Sequence, residues 1–281
     1  MTKEFDCETY NGVRIPKLGL GTWQLEGQNC KDAINYALDE IGCRHVDTAQ
    51  AYGNEEQVGA ALEESGTRRE DIFLTTKVWM DNMSGDRVVP SIDESLKKLR
   101  TDYCDLILIH WPNDDVAFEE TLGALKKAQE QGKTRLIGVS NYTTDQVKKV
   151  REDLGFDIAV NQCEYHPFLN QSQLIEQCRE YGMMFTAYSP LARGKVMGDS
   201  TLEDLSHSYN KTPAQITLRW LYQQDNVLAI PKSSSKEHIE ANFDILDFEL
   251  NDQDMERIFE MRERNKRMVD PDFAPKWDVA A

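Results

Sequence analysis

The stretch RHVDTAQAYGNE, residues 44–55, sets a carboxylate at Asp47 and a phenol at Tyr52. Further along, Lys77 stands inside the apolar run FLTTKVW and His110 ends the run DLILIHW. Each has a plain structural reading: Asp47 as a helix cap, Tyr52 as packing, Lys77 as half of an ion pair, His110 as a core histidine. A lysine or histidine left unpartnered in an apolar interior is costly, so ionisable groups at the ends of apolar runs point to one another. Together they make a proton-donating set. A tyrosine ordinarily loses its proton near pH 10. A neighbouring Lys77 ammonium is expected to lower that value, while Asp47 keeps the ammonium charged and oriented. His110 would then hydrogen-bond a substrate oxygen beside the Tyr52 hydroxyl. Such a set protonates an oxygen on which negative charge develops, as on a carbonyl that accepts hydride.

The elements that must bring these residues together are short apolar runs: KLGLG, RHVDTA, IFLTTKVW, CDLILIHW, RLIGVSN, IAVNQCEY, MMFTAYSPL and VLAIPKS. Amphipathic stretches alternate with them, among them VPSIDESLKKLR and TPAQITLRWLYQQ. Eight strand–helix alternations predict an α/β fold, a single (β/α)8 TIM barrel over 1–281 rather than an open sheet. Asn11-Gly12 within CETYNGVRI predicts an N-terminal β-hairpin, and NDQDMERIFEMRERN an extra C-terminal helix. Gly42, Gly66, Gly132, Gly155 and Gly182 close amphipathic runs, where a left-handed residue ends a helix.

A barrel of this kind assembles its site from the loops at the carboxyl ends of its strands. The second run exits at Asp47 and Tyr52, the third carries Lys77, and the fourth ends at His110. The fifth ends at Ser140 and Asn141, the sixth contributes Gln162, the seventh Tyr188 and Ser189, and the eighth Lys232 and Ser233. Trp23, Trp79 and Trp111 follow the first, third and fourth runs and predict an aromatic substrate pocket. The loop WPNDDVAF and the tail RMVDPDFAPKWDVAA are short, which predicts an open site.

Acidic residues outnumber basic ones by 49 to 32, a net charge of −17 spread along the whole chain. This excludes nucleic acid as a partner, since a polyanion needs a basic footprint. It also suggests folding under high salt, and a halophilic source. No apolar run approaches the roughly 18 residues of a membrane span, and MTKEFDCETY lacks the apolar stretch of a signal peptide. The reading is a cytoplasmic protein with no membrane partner. The six cysteines are scattered without zinc or redox spacing and read as buried thiols. No H-E-x-x-H spacing supports a metal-dependent hydrolase, so no metal is expected.

RHVDTAQAYGNE, LTTKVW, DLILIHWP, IGVSN, NQCEYHP, YSPL and IPKSSSKEHIEANF stand in this order along nearly the whole chain, and the set resembles the aldo-keto reductase family. The likeness is greatest to the microbial 2,5-diketogluconate reductase and methylglyoxal reductase branch. The resemblance implies NADPH bound in extended form without a Rossmann domain, and the tetrad Asp47, Tyr52, Lys77 and His110 with Tyr52 as general acid. It implies Ser140, Asn141 and Gln162 at the nicotinamide carboxamide, and Tyr188 stacked on the ring. It further implies Ser189, Leu191 and Lys195 near the pyrophosphate, Lys232 and Ser233 at the 2′-phosphate, and Asn242 at adenine. The family's usual arginine and glutamate are here His238 and Ala241. Histidine is a weaker phosphate partner than arginine, so NADH is expected to be accepted beside NADPH, with Lys236 as a compensating cation. The implied substrates are small 2-oxoaldehydes, keto-sugar acids and other carbonyls, with Arg193 or a tail arginine available to a carboxylate. A monomer is expected. The competing reading is a regulatory barrel that binds the cofactor but has lost useful catalysis.

Overall fold

In a computed structural model that describes residues 5–278, the chain opens with a hairpin of β1 (Cys7–Tyr10) and β2 (Val13–Pro16). Asn11 and Gly12 turn it, both at positive φ (48° and 78°), the backbone that an Asn-Gly turn predicts. Eight parallel strands follow: β3 (Leu20–Gly21), β4 (His45–Asp47), β5 (Phe73–Val78), β6 (Cys104–Ile109), β7 (Thr134–Ser140), β8 (Val160–Glu164), β9 (Met184–Tyr188) and β10 (Val227–Ala229). Each pairs with the next in chain order. First and last close the ring: Gly19 N–H donates to Ala229 O (2.9 Å), Ala229 N–H to Lys17 O (2.8 Å), and Gly21 N–H to Pro231 O (3.0 Å). This is the predicted (β/α)8 barrel, with every strand inside the run read for it except β7, which starts one residue earlier at Thr134.

Successive strand residues point to opposite faces, so one inward residue fixes the rest. Phe73, Leu106, Leu108, Leu136, Val160, Met184 and Leu228 pack with one another inside the barrel, while Leu74, Val78, Ile107, Ile109 and Phe185 pack outward under the helices. Counting by twos from the inward set reaches Lys77 on β5, His110 after β6, Ser140 on β7, Gln162 on β8 and Tyr188 on β9. The polar residues are thus the top layer of the barrel interior. Small residues make the layering fit: a Cβ on Gly138 would lie 2.6 Å from Val160 O and 2.7 Å from Leu108 Cδ2. The hairpin plugs the opposite end with Tyr10, Val13 and Ile15, and Tyr10 donates to the Asp157 carboxylate.

The helices are α1 (Gly27–Asn35), α2 (Glu55–Glu64), α3 (Gly85–Lys98), α4 (Phe118–Glu130), α5 (Thr144–Lys148), α6 (Ser172–Glu180), α7 (Ser200–Tyr209), α8 (Pro213–Tyr222), α9 (Lys236–Phe243) and the expected C-terminal α10 (Asp252–Glu260). Four differences from expectation have physical reasons. The sequence reading had no α7; Asp199 caps it and Asn210 (φ 53°) ends it, but only Leu202 and Leu205 are buried, too thin a stripe to show as amphipathic. Helix α3 starts ahead of Val89, which puts Pro90 inside it; the ring lies on the exposed face, where the unpaired carbonyl can meet water. Helices α1 and α5 run on as π-helical turns, Tyr36–Ile41 and Lys149–Asp153, a wider winding that a 3.6-residue period does not reveal. Gly66 is not a left-handed cap, because α2 already ends at extended Ser65; Gly42, Gly132, Gly155 and Gly182 do have positive φ. None of the six cysteines is in a disulfide, and five are buried. Among the described residues no helix is long and apolar enough to cross a membrane.

Candidate active site

Lys77 and Asp47 are each 1% exposed, and the ammonium donates to Asp47 Oδ1 at 2.5 Å, to Thr48 O at 2.9 Å and to the Tyr52 hydroxyl at 3.4 Å. The Asp47 Oδ2 accepts from Gln162 Nε2 at 2.8 Å. Burial by itself would lower the Lys77 ammonium, but Asp47 and Tyr52 outweigh it and hold it above its ordinary 10.5. Tyr52 corrects the sequence reading. Burial pushes its phenol above 10, Lys77 pulls it down, Asp47 adds to the rise, and the net direction is up. The expected lowering omitted the cost of placing a phenolate out of water. The His110 ring meets Tyr52 edge to face, 5.7 Å between centroids. Burial, with the Lys77 charge behind it, drops His110 well below 6.5, so the imidazole is neutral at neutral pH. Its Nδ1 is buried without a hydrogen-bond partner.

Two residues of the opening stretch hold these loops and were not singled out from sequence. Tyr52 ends a short turn, Gln50–Tyr52, closed by Gly53 (φ 67°). Gln50 Nε2 donates to Ser91 O (3.2 Å) and Ser95 Oγ (3.1 Å) on α3, and its Oε1 accepts from Trp79 N–H (2.9 Å), tying Tyr52 to the third exit loop. Asn54 Nδ2 donates to Thr22 O (2.8 Å) and Leu25 O (2.9 Å), tying it to the first. Polar residues flanking Tyr52 were the available signal.

The far wall is a hydrogen-bonded relay. Ser140 Oγ donates to Gln162 O (2.7 Å), Asn141 Nδ2 to His110 O (3.0 Å), and the Tyr188 hydroxyl to Asn141 Oδ1 (2.8 Å). Asn141 (φ 64°), Ser189 (φ 48°) and Arg193 (φ 52°) hold left-handed backbone at the strand exits. Asp47, Tyr52, His110 and the relay line a cleft of about 640 Å³, with Lys77 buried behind them, and Trp23, Trp79, Trp111 and Lys232 line it too. Trp23 is not core filling: it is 40% exposed, with the Arg193 guanidinium over its ring at 5.0 Å.

The brief tail, expected to leave the site open, forms part of its wall. Residues 268–271 and Phe273 line the cleft. Phe273 packs edge-on against Trp79 (6.0 Å) and Trp111 (5.4 Å), and Trp277 against Trp111 (6.1 Å). Length alone hid this; the aromatic spacing in DPDFAPKW was the available signal.

The model of the aldo/keto reductase family matches residues 17–263. The chain belongs to the aldo/keto reductase family. It is similar to the methylglyoxal reductase DkgB of Escherichia coli O157:H7, 40% identical over 270 residues that cover 95% of this chain and 100% of that one. It is also similar to a crystal structure provisionally assigned as a 2,5-diketo-D-gluconic acid reductase B, with TM-score 0.95, 43% identity and 98% coverage of both chains. A Bombyx mori aldo-keto reductase in complex with NADP has TM-score 0.87, 34% identity and 96% coverage of both. Aldo-keto reductases use NAD(P)H, and this one is an oxidoreductase whose relatives reduce carbonyl compounds.

In this aldo-keto reductase the tetrad lies at one point, but the outer residues do not line the same cleft. Leu191, Lys195, Ser233, His238 and Asn242 are not among its lining residues and lie on the β9–α7 loop and on the loop and helix that follow β10. Lys195 and His238 are exposed, while Ser233 and Asn242 are buried. Lys236, expected to compensate for the missing arginine, lies 5.2 Å over the Tyr36 ring.

Proposed function

We propose that this chain reduces aldehydes and ketones, among them 2-oxoaldehydes and keto-sugar acids, with NADPH as hydride donor and Tyr52 as general acid. The observation that carries the reading is the Asp47–Lys77–Tyr52 chain, a buried ion pair that reaches a half-buried phenol in an aromatic-walled cleft. NADPH, when bound, supplies hydride to the carbonyl carbon. The donor set suits such a group: Lys232 and Arg193 line the cleft and neither forms an ion pair with a described residue, in a chain of net charge −17. Tyr188 would face the nicotinamide, with Ser140, Asn141 and Gln162 at its carboxamide. Gln162 already gives its N–H to Asp47, which leaves its carbonyl oxygen to accept. Ser189, Leu191 and Lys195 would serve the pyrophosphate, Lys232, Ser233 and His238 the 2′-phosphate, and Asn242 the adenine.

A raised phenol pKa suits an acid. It keeps the Tyr52 proton in place at neutral pH, and an alkoxide binds a proton far more tightly than a phenolate does, so the transfer still runs downhill. The phenolate left behind meets the Lys77 ammonium, itself held by Asp47. Neutral His110 donates a ring N–H to the carbonyl oxygen and holds it beside the phenol. Nucleotide oxidation measured with methylglyoxal, a keto-sugar acid and a nitrobenzaldehyde, using NADPH and then NADH, tests the reading. Turnover of several carbonyls is expected, and none with any of them would remove it.

A further inference from the structure

We propose that Glu164 is a positioning residue for the substrate side of the cleft, its carboxylate clamping the C-terminal segment that carries Phe273 over the mouth. Glu164 is fully buried at the end of β8, paired in register with Tyr188. Both of its oxygens are engaged: Oε1 accepts from Met268 N–H (2.6 Å) and from His166 Nε2 (2.8 Å), and Oε2 from Val269 N–H (2.8 Å). His166 Nδ1 accepts from Phe168 N–H at 3.3 Å, so the ring hydrogen is on Nε2 and is donated to the carboxylate. One side-chain carboxylate thus captures two consecutive main-chain amides of the tail. Bonds of this charge-assisted kind are roughly twice as strong as neutral ones.

The captured residues themselves line the cleft, and the chain runs from them through Asp270 and Pro271 to Phe273. Residues 265–278 form no helix or strand. Their path is set by this carboxylate, by Lys266 N–H on Phe168 O (2.7 Å), by Asp278 accepting from Thr144 N–H (3.0 Å) and Oγ1 (2.8 Å), and by ring contacts. Of the hydrogen bonds that tie this segment to the rest of the described chain, those to Glu164 are the ones made by cleft-lining residues. It touches neither the reacting atoms nor the tetrad, so it acts through Phe273 and the wall beside it. Its kinetic consequence rests on the carbonyl-reduction reading; the clamp does not.

Hydrogen exchange and steady-state kinetics on wild type, Glu164→Gln, Phe273→Ala and the double variant test the proposal, with methylglyoxal as substrate. In Glu164→Gln one amide loses its acceptor, so exchange at Met268 and Val269 should accelerate while the barrel strands stay protected. KM should rise about tenfold, the scale of one charge-assisted bond, with kcat within about threefold and NADPH affinity unchanged. The double variant should show no higher KM than Phe273→Ala alone, because both changes release the same contact. Unaltered exchange at Met268 and Val269 would overturn the clamp whatever the turnover. Faster exchange with KM effects that simply add would overturn its action through Phe273. If wild type reduced no carbonyl, the functional reading would fall, and exchange would still decide the clamp. Should Glu164→Gln fail to fold, Glu164→Asp, which keeps the charge and shortens the reach, carries the same expectations.

Discussion

Tyr52 lies between an ammonium 3.4 Å away and an interior that disfavours its anion, and the interior prevails. On the proposed reading, the role left to Lys77 is to stabilise the phenolate once it forms, not to create it beforehand. Lys77→Met should therefore lower kcat at least about a hundredfold, the scale of a general acid's contribution, with nucleotide affinity little changed. Stopped-flow turnover beside nucleotide titration checks this, and an unchanged kcat would refute the role. Stability should track the same groups. Lys77 and Tyr52 have raised folded-state values, so their contribution is present below about pH 10 and is lost as pH climbs through those values. His110 is depressed, so its contribution is present above 6.5 and is lost as pH falls. Between those limits kcat/KM should be flat, and a step near pH 6.5 in the pH–rate profile would contradict a neutral His110. The four tetrad residues were legible because charged groups ending apolar runs are hard to explain singly. The pKa direction was not, because it depends on a burial that only the closed barrel creates.

At the level of elements, strands were read correctly because each is a short apolar run with its polar residue at the exit. Inward parity then carries Lys77, His110, Ser140, Gln162 and Tyr188 to the same end. Segments whose form depends on distant partners were not legible. Helix α7 buries little, the π-helical turns need a wider winding than the period read, and the tail has no periodic signal at all. Helix α9 carries the clearest departure from the family pattern, His238, exposed and within its first turn. A permanently charged fork there would favour the 2′-phosphate more than an imidazole does. His238→Arg should raise the ratio of kcat/KM for NADPH over NADH about tenfold, the size of one good charged contact. An unmoved ratio would mean that Lys232 and Ser233 carry the discrimination without it.

For the molecule as a whole, charge sets the working conditions. Seventeen uncompensated negative charges repel at low ionic strength, and exposed ion pairs such as Arg68–Glu70 return little against them. Salt should therefore raise the melting temperature as screening shortens the repulsion to about 3 Å at 1 M. A melting temperature that stays level or falls between low salt and molar salt would remove the halophilic reading. The barrel brings loops far apart in sequence to one phenol, and the proposed function turns on that phenol, so the most direct test is single-turnover reduction of methylglyoxal by NADPH with wild type and Tyr52→Phe. Loss of the proton donor should slow the chemical step by about a thousandfold while NADPH binds as before. A Tyr52→Phe protein that reduces the carbonyl at close to the wild-type rate would contradict the account at its centre.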